Sequence, residues 1–461
     1  MDKKPELRRE LGLLQATALN MIDMVGIGPF VVLPLVVQIM AGPQAIWAWI
    51  AGALLAIVDG FVWAELGAAM PKAGGSFIFL REAFGKERWG KLMSFLFIWQ
   101  TMIQAPLVAA SAAIGFAQYF TFIVPLGYYE KKMLSGALII LITILLYRKV
   151  GDIGKISVIL WAAVLGTIGW LIFGGATHFN ADLVFQEPAI GFSFSGVFFV
   201  LLGQATVKTV YSYLGYYNVC HLGGEIQNPE KNIPRSIFIS IIGIAILYLA
   251  LNLSVMGVIP WQETRNSQFI VSTFVEKLYG HTAGVVATGL VLLIAFSSLF
   301  AVVVGYSRIP YAAATEGAFF KVFGKLHPTK EFPYISLLVL AGIAFVFSLL
   351  LRMSEVISAI LAMRIIVQFI GGAVGVMLLR KRWSSDKLPF KMWLFPLPAV
   401  MAIFLWVWLF TATVNSEIWG MSVAFWGVAV MFLGIIVYCI QAKIRGEFPF
   451  AVESNSGETS V

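Results

Sequence analysis

Asp23, Asp59, Lys208 and Arg364 stand inside long apolar runs of this 461-residue chain, with Glu65 nearer the end of one. A charge at the centre of a membrane helix costs at least about 2.5–3.5 kcal/mol, so keeping one there points to use. Two uses fit. Opposite charges can pair into a neutral internal network, or a desolvated Lys208 or Asp59 can exchange a proton as its surroundings change. Asp23 lies three residues before Gly26, on the same helical face. There the run is interrupted by Gly26-Ile27-Gly28-Pro29. Two glycines weaken the helix, and Pro29 lacks an amide donor and crowds the preceding turn. One turn after Lys208 comes a weaker interruption, Tyr211-Ser212-Tyr213-Leu214-Gly215. Either stretch could produce only a kink. If both unwind, the free amides at a half-helix start suit a carboxylate, and the free carbonyls at a half-helix end suit an ammonium. Gly26, Ile27, Gly28, Tyr211, Ser212, Tyr213 and Gly215 are therefore the candidate binding residues.

Other polar groups have weaker patterns. Ser297 and Ser298 could give hydroxyls to a sodium ion, although serine pairs in such helices also serve packing. His221 and Glu225, spaced i and i+4, suit a gate or loop anchor, and Tyr216 and Tyr217 could join Tyr211 and Tyr213 around a cavity. Cys220 and Cys439 lie in or beside apolar segments and form no metal-ligand spacing. HExxH, GxSxG and Walker-type motifs are absent, so catalytic residues, a metal, a cofactor and ATP-driven chemistry are not expected.

The elements that must position these residues are legible from composition. Hydrophobic residues make up 59% and charged residues 12%, against about 25% charged in soluble domains. Runs long enough to span a bilayer fall at 13–40, 44–69, 92–125, 133–148, 153–175, 195–221, 236–259, 283–306, 334–351, 354–379, 393–414 and 418–442. Of the 32 Lys and Arg residues, 25 lie in the N-terminus, every second loop and the C-terminus, and only 5 in the opposite loops. This alternation predicts an even number of spans with both termini cytoplasmic, and it assigns the net charge of +8 to topology rather than to nucleic acid binding. The long opposite segments, 176–194 and 260–282, are where outer gating elements would lie. The polar end, 453–461, reads as disordered. Interruptions in runs one and six are what an inverted repeat of five plus five helices would produce, and paired breaks of this kind mark a carrier's midplane site.

Gly26-Ile27-Gly28-Pro29-Phe30, Ala64-Glu65-Leu66-Gly67, Pro71-Lys72-Ala73-Gly74-Gly75-Ser76-Phe77 and Leu80-Arg81-Glu82-Ala83-Phe84-Gly85 follow one another in order. Gly215-Tyr216-Tyr217 and Gly224-Glu225-Ile226-Gln227-Asn228-Pro229-Glu230-Lys231-Asn232-Ile233-Pro234-Arg235 come next, then Ser307-Arg308-Ile309-Pro310-Tyr311-Ala312 with Glu316-Gly317, and Pro389-Phe390-Lys391. Together these motifs resemble the amino acid–polyamine–organocation (APC) transporter family over most of the chain. The resemblance implies a leucine-transporter-type fold with the solute between helices one, three, six, eight and ten. It implies that Gly26, Ile27 and Gly28 meet a carboxylate and the backbone around Tyr211, Ser212 and Tyr213 an ammonium. Ile27 stands where the family has a small polar residue and Pro29 supplies no amide, which keeps polyamines open. The residues that follow, Val31, Val32 and Leu33, lack the acids that polyamine carriers place there. The fifth run has no ionisable residue over 156–174, so a lysine in the sodium position does not carry over.

The expectation is thus an all-α membrane protein of about twelve transmembrane helices. It comprises an N-terminus (1–12), two five-helix repeats (13–175 and 195–379), helices 11 and 12 (393–445) and a tail (446–461). It would sit in the cytoplasmic membrane, lipid and a small solute being its partners, as a secondary transporter or exchanger of amino acids. A proton is the expected coupling ion ahead of sodium. Polyamine transport and a transport-inactive sensor or scaffold are the alternatives.

Overall fold

The computed structural model describes residues 9, 11–72, 74–147, 153–189, 194–330 and 332–450. The charged start, the loop residues Arg148 and Lys149, and the tail from 451 onward lie outside the described residues. The chain is built from helices: α1 (Leu13–Met24), α2 (Gly28–Met40), α3 (Ile46–Ala69), α4 (Ser76–Ala83), α5 (Trp89–Phe120), α6 (Tyr128–Leu146) and α7 (Ile153–Thr177). A single turn, α8 (Ala181–Val184), precedes α9 (Gly196–Tyr213), α10 (Asn218–His221) and α11 (Pro229–Met256). There follow α12 (Trp261–Thr264), α13 (Ile270–Tyr279), α14 (His281–Thr315), α15 (Tyr334–Leu350), α16 (Met353–Arg364), α17 (Gly371–Arg382), α18 (Leu397–Ala412) and α19 (Val423–Arg445).

Among the described residues seven helices are long and apolar enough to cross a membrane. They are eight if α1 and α2, bent by 48° at their break, count as one span. Residues 161–177 of α7 and all of α15 are shorter apolar helices. Leu54, Ile140, Ile144, Phe404, Phe432, Ile436 and Ile440 are exposed large apolar side chains, while Asp59, Glu65, Asn20, Gln104 and Thr209 are buried. Apolar outside and polar inside is the inverse of a water-soluble core, and a lipid environment explains it. The molecule is a multi-pass membrane protein.

Helices outlast the apolar runs that announce them. α6 begins at Tyr128, adding a first turn with Glu130, Lys131 and Lys132, and α14 continues to Thr315 through Pro310. An apolar run measures hydrocarbon thickness, whereas the helix goes on into the polar interface. α2 lies against α9, α3 against α11, α5 against α14, and α6 against α15. Glu65 accepts from Arg380 Nε (2.5 Å), Arg380 Nη2 (2.8 Å) and the Met392 amide (2.8 Å), joining α3, α17 and the segment before α18. Leu11 and Ile226 pair as a short parallel bridge, holding the start of the chain to the loop that follows α10.

Candidate functional site

Both interruptions unwind, with boundaries shifted from the sequence reading. In the first, Val25, Gly26 and Ile27 are non-helical, and Gly28 is already the first residue of α2. Pro29 therefore opens α2 rather than ending α1; in a first turn its missing amide costs nothing, since that position has no helical acceptor. In the second, α9 runs through Tyr213, and the non-helical stretch is Leu214–Tyr217. Tyr211, Ser212 and Tyr213 form the last turn of α9, and the second half of this span is a single helical turn, α10, followed by a 3-10 turn at Gly223–Glu225.

The two breaks touch. Gly215 has φ +123°, where side chains are strained, and a Cβ there would come within 2.8 Å of Asp23 Oδ2 and 2.9 Å of the Met24 amide nitrogen. Glycine lets one unwound backbone lie directly on the other. A Cβ at Gly28 would meet Tyr211 Cε1 at 3.1 Å and Ser212 Oγ at 3.2 Å, and one at Gly26 would meet Ser298 Oγ at 2.8 Å. The Tyr248 hydroxyl, reaching in from α11, lies 2.8 Å from Met24 O and 3.2 Å from Ser212 O, one carbonyl from each break. The amides of Gly26, Ile27 and Gly28 have no hydrogen-bond acceptor among the described residues, and no backbone amide donates to the carbonyls of Tyr211 and Tyr213. Free donors and free acceptors thus stand close together.

Beside the breaks is a cavity of about 50 Å³, with Asp23, Gly26, Ile27, Gly28, Tyr211 and Ser212 on its wall. Gln104 and Ser111 from α5, Tyr217 from the second break, Ser298 and Tyr306 from α14, and Arg364 add polar groups, and apolar side chains such as Val108 and Val302 line the rest. Of the expected binding and sodium residues, Gly215, Tyr213 and Ser297 are not on its wall. Tyr213 packs edge-on against Trp49 and Tyr248, with its hydroxyl 3.2 Å from Trp49 O, because the last turn of α9 aims it at α3. Ser297 donates to the Leu293 carbonyl of its own helix (2.6 Å), so only Ser298 of that pair reaches the cavity. Among the described residues no three His, Cys, Asp or Glu side chains are grouped to hold a metal. A larger cavity, about 270 Å³, lies further along α2 beside Pro34, Gln38, Gln118, Arg265 and Met353, away from both breaks.

The buried charges do not pair with one another. Asp59 accepts from Trp63 Nε1 (2.6 Å), Tyr216 Oη (2.5 Å) and Trp406 Nε1 (3.0 Å), three neutral donors from three elements. Lys208 donates to Ser354 O (2.7 Å) and Ser358 Oγ (2.6 Å) on α16. Arg364 donates to the Tyr217 hydroxyl, Gln104 Oε1 (2.6 Å) and Tyr306 Oη (2.5 Å). Asp23 accepts from the Asn218 side-chain amide; it is exposed, and part of it lies on the cavity wall. None of the four makes a direct ion pair with another: Asp59 and Lys208 are held by neutral groups, while Asp23 and Arg364 stand on the same cavity and attract each other across it. Gln104, Ser111, Tyr306, Asn218 and Tyr248 were not singled out from sequence. Gln104, an amide in an apolar run, was the signal available; Tyr248 gave none.

The comparisons with known proteins agree with this architecture. Residues 11–437 match the family model described as amino acid permease. The chain is 26% identical over 412 residues to the serine/threonine exchanger SteT of Bacillus subtilis (strain 168), covering 86% of this chain and 89% of that protein. It is 23% identical over 404 residues to the branched-chain amino acid permease BcaP of the same organism, covering 84% of each. It is also 26% identical over 409 residues to cationic amino acid transporter 4 of Mus musculus, covering 82% of this chain and 61% of that protein. A match that runs through both helix breaks and nearly every membrane helix leaves one assignment, and the chain belongs to the amino acid permease family of APC transporters.

Proposed function

We propose that this protein is a secondary carrier or exchanger of amino acids that works by alternating access. The observation that carries the reading is the meeting of two unwound segments at one polar cavity, with the unpartnered amides of residues 26–28 on one side and the unextended end of α9 on the other. A zwitterion presents the complementary groups, a carboxylate for the amides and an ammonium for the carbonyls and Asp23. Counting α6, α7, α9 and α15 with the eight long spans makes twelve. Each of the first four spans packs against the one five places later, which supports a five-plus-five repeat. The lopsided distribution of Lys and Arg supports cytoplasmic termini in the cytoplasmic membrane.

For coupling we favour a proton, with Lys208 as its carrier, buried and held by a carbonyl and a hydroxyl, because the three donors on Asp59 hold that carboxyl ionised. Sodium fits less well, because Ser297 is turned to its own helix. Polyamine transport is disfavoured by Arg364, which sets a fixed positive charge on the cavity wall. Reconstituted protein should take up or exchange amino acids in proteoliposomes, faster with an imposed proton gradient. A full amino acid panel giving neither uptake nor counterflow, with proton or sodium gradients, would sink the reading, and binding without flux would point to a sensor.

A further inference from the structure

Arg364 is 6% exposed, yet no carboxylate lies within 4 Å of it among the described residues. Its acceptors are two phenols and an amide oxygen, all neutral, and its Nε has no partner. Two further buried polar atoms on the same cavity are also unpartnered, Gln104 Nε2 and Ser212 Oγ. Other unpartnered buried atoms are scattered among the described residues, but these three stand at one cavity, where a ligand with acceptor oxygens would satisfy Arg364 Nε and Gln104 Nε2. The backbone repeats the message. Directly after Arg364 the helix widens into a π segment, Ile365–Ile370, before resuming as α17. Single π turns of this kind are rare and gather at functional sites.

We infer that Arg364 is the residue that selects the solute's side chain, and that the solute is an amino acid whose side chain ends in a carboxylate. The inference rests on the amino acid carrier reading and deepens it. A dicarboxylic amino acid has three charged groups, and the cavity has a counterpart for each. The first carboxylate meets the amides of Gly26, Ile27 and Gly28. The ammonium meets Asp23 and the end of α9. The second carboxylate meets Arg364, with Gln104 Nε2 as a further donor. With a neutral side chain the guanidinium would face only Asp23, across the same cavity, as a nearby anion, and Asp23 is engaged by the ammonium; a cationic side chain would be repelled.

The test compares isosteres on the wild-type protein, so no variant has to fold. In detergent or proteoliposomes, L-glutamate and L-aspartate should bind at least about thirtyfold more tightly than L-glutamine and L-asparagine, the lower range for removing one side of a buried charge pair. Arg364→Gln should erase that difference while leaving binding of the carboxamides measurable, and Arg364→Lys should restore part of it. Equal affinity for acids and amides, or tighter binding of L-lysine than of L-glutamate, overturns the role of Arg364 and leaves amino acid transport standing. If no amino acid of any class binds, the carrier reading itself has failed and this inference with it.

Discussion

Asp59 and Asp23 are the same residue type on successive spans of the chain, and their surroundings are opposites. Asp59 is fully buried, with both oxygens engaged by two indoles and a phenol. Asp23 has a single side-chain donor, Asn218, and opens onto the cavity. A carboxylate whose acceptor sites are filled from α3, α18 and the second break acts as a post, holding that break to its neighbours. A carboxylate left with free lone pairs beside free amides is available to a solute. Depth alone therefore does not identify a binding charge; how far its hydrogen bonds are already satisfied does.

This contrast can be broken by experiment. Asp59→Ala leaves two indole N–H groups and a phenol without an acceptor and should destabilise the protein by about 3 kcal/mol or more. The expected readout is a large fall in Tm with solute affinity of the folded fraction nearly unchanged; the reverse pattern would make Asp59 part of the site. Gly28→Leu drives a side chain into Tyr211 and Ser212 and should weaken binding beyond a hundredfold, about 2.7 kcal/mol, in equilibrium titration. Retained affinity would remove the first break from the receptor. A smaller effect is expected for Asp23→Asn, roughly tenfold in affinity or about 1.4 kcal/mol, with Tm unmoved. A matching loss of Tm would give Asp23 the same holding role as Asp59. Smallest is Tyr248→Phe, which removes the hydroxyl bridging Met24 O and Ser212 O and should cost about 1 kcal/mol in chemical denaturation.

How much was legible follows from which interactions are local. Gly26-Ile27-Gly28-Pro29 announced an unwound segment because glycine and proline act on their own turn. The interruption read over Gly26–Pro29 lies at Val25–Ile27, because a proline that breaks one helix starts the next equally well. The second break, read over Tyr211–Gly215, lies at Leu214–Tyr217 and leaves the Tyr211–Tyr213 turn helical, since Gly215 alone does not say on which side unwinding starts.

By itself, the sequence determined the membrane class, the long apolar spans, the two weak points in the helices and the identity of the buried charges. Each of these depends on transfer from water or on backbone sterics within one turn. Only the tertiary structure decided that Asp59 is enclosed by Trp63, Tyr216 and Trp406, that Arg364 faces the cavity with neutral partners, and that Tyr248 reaches both breaks. Those contacts join residues far apart in the chain, and hydrogen-bond partners at that separation are set by how helices pack and not by local spacing.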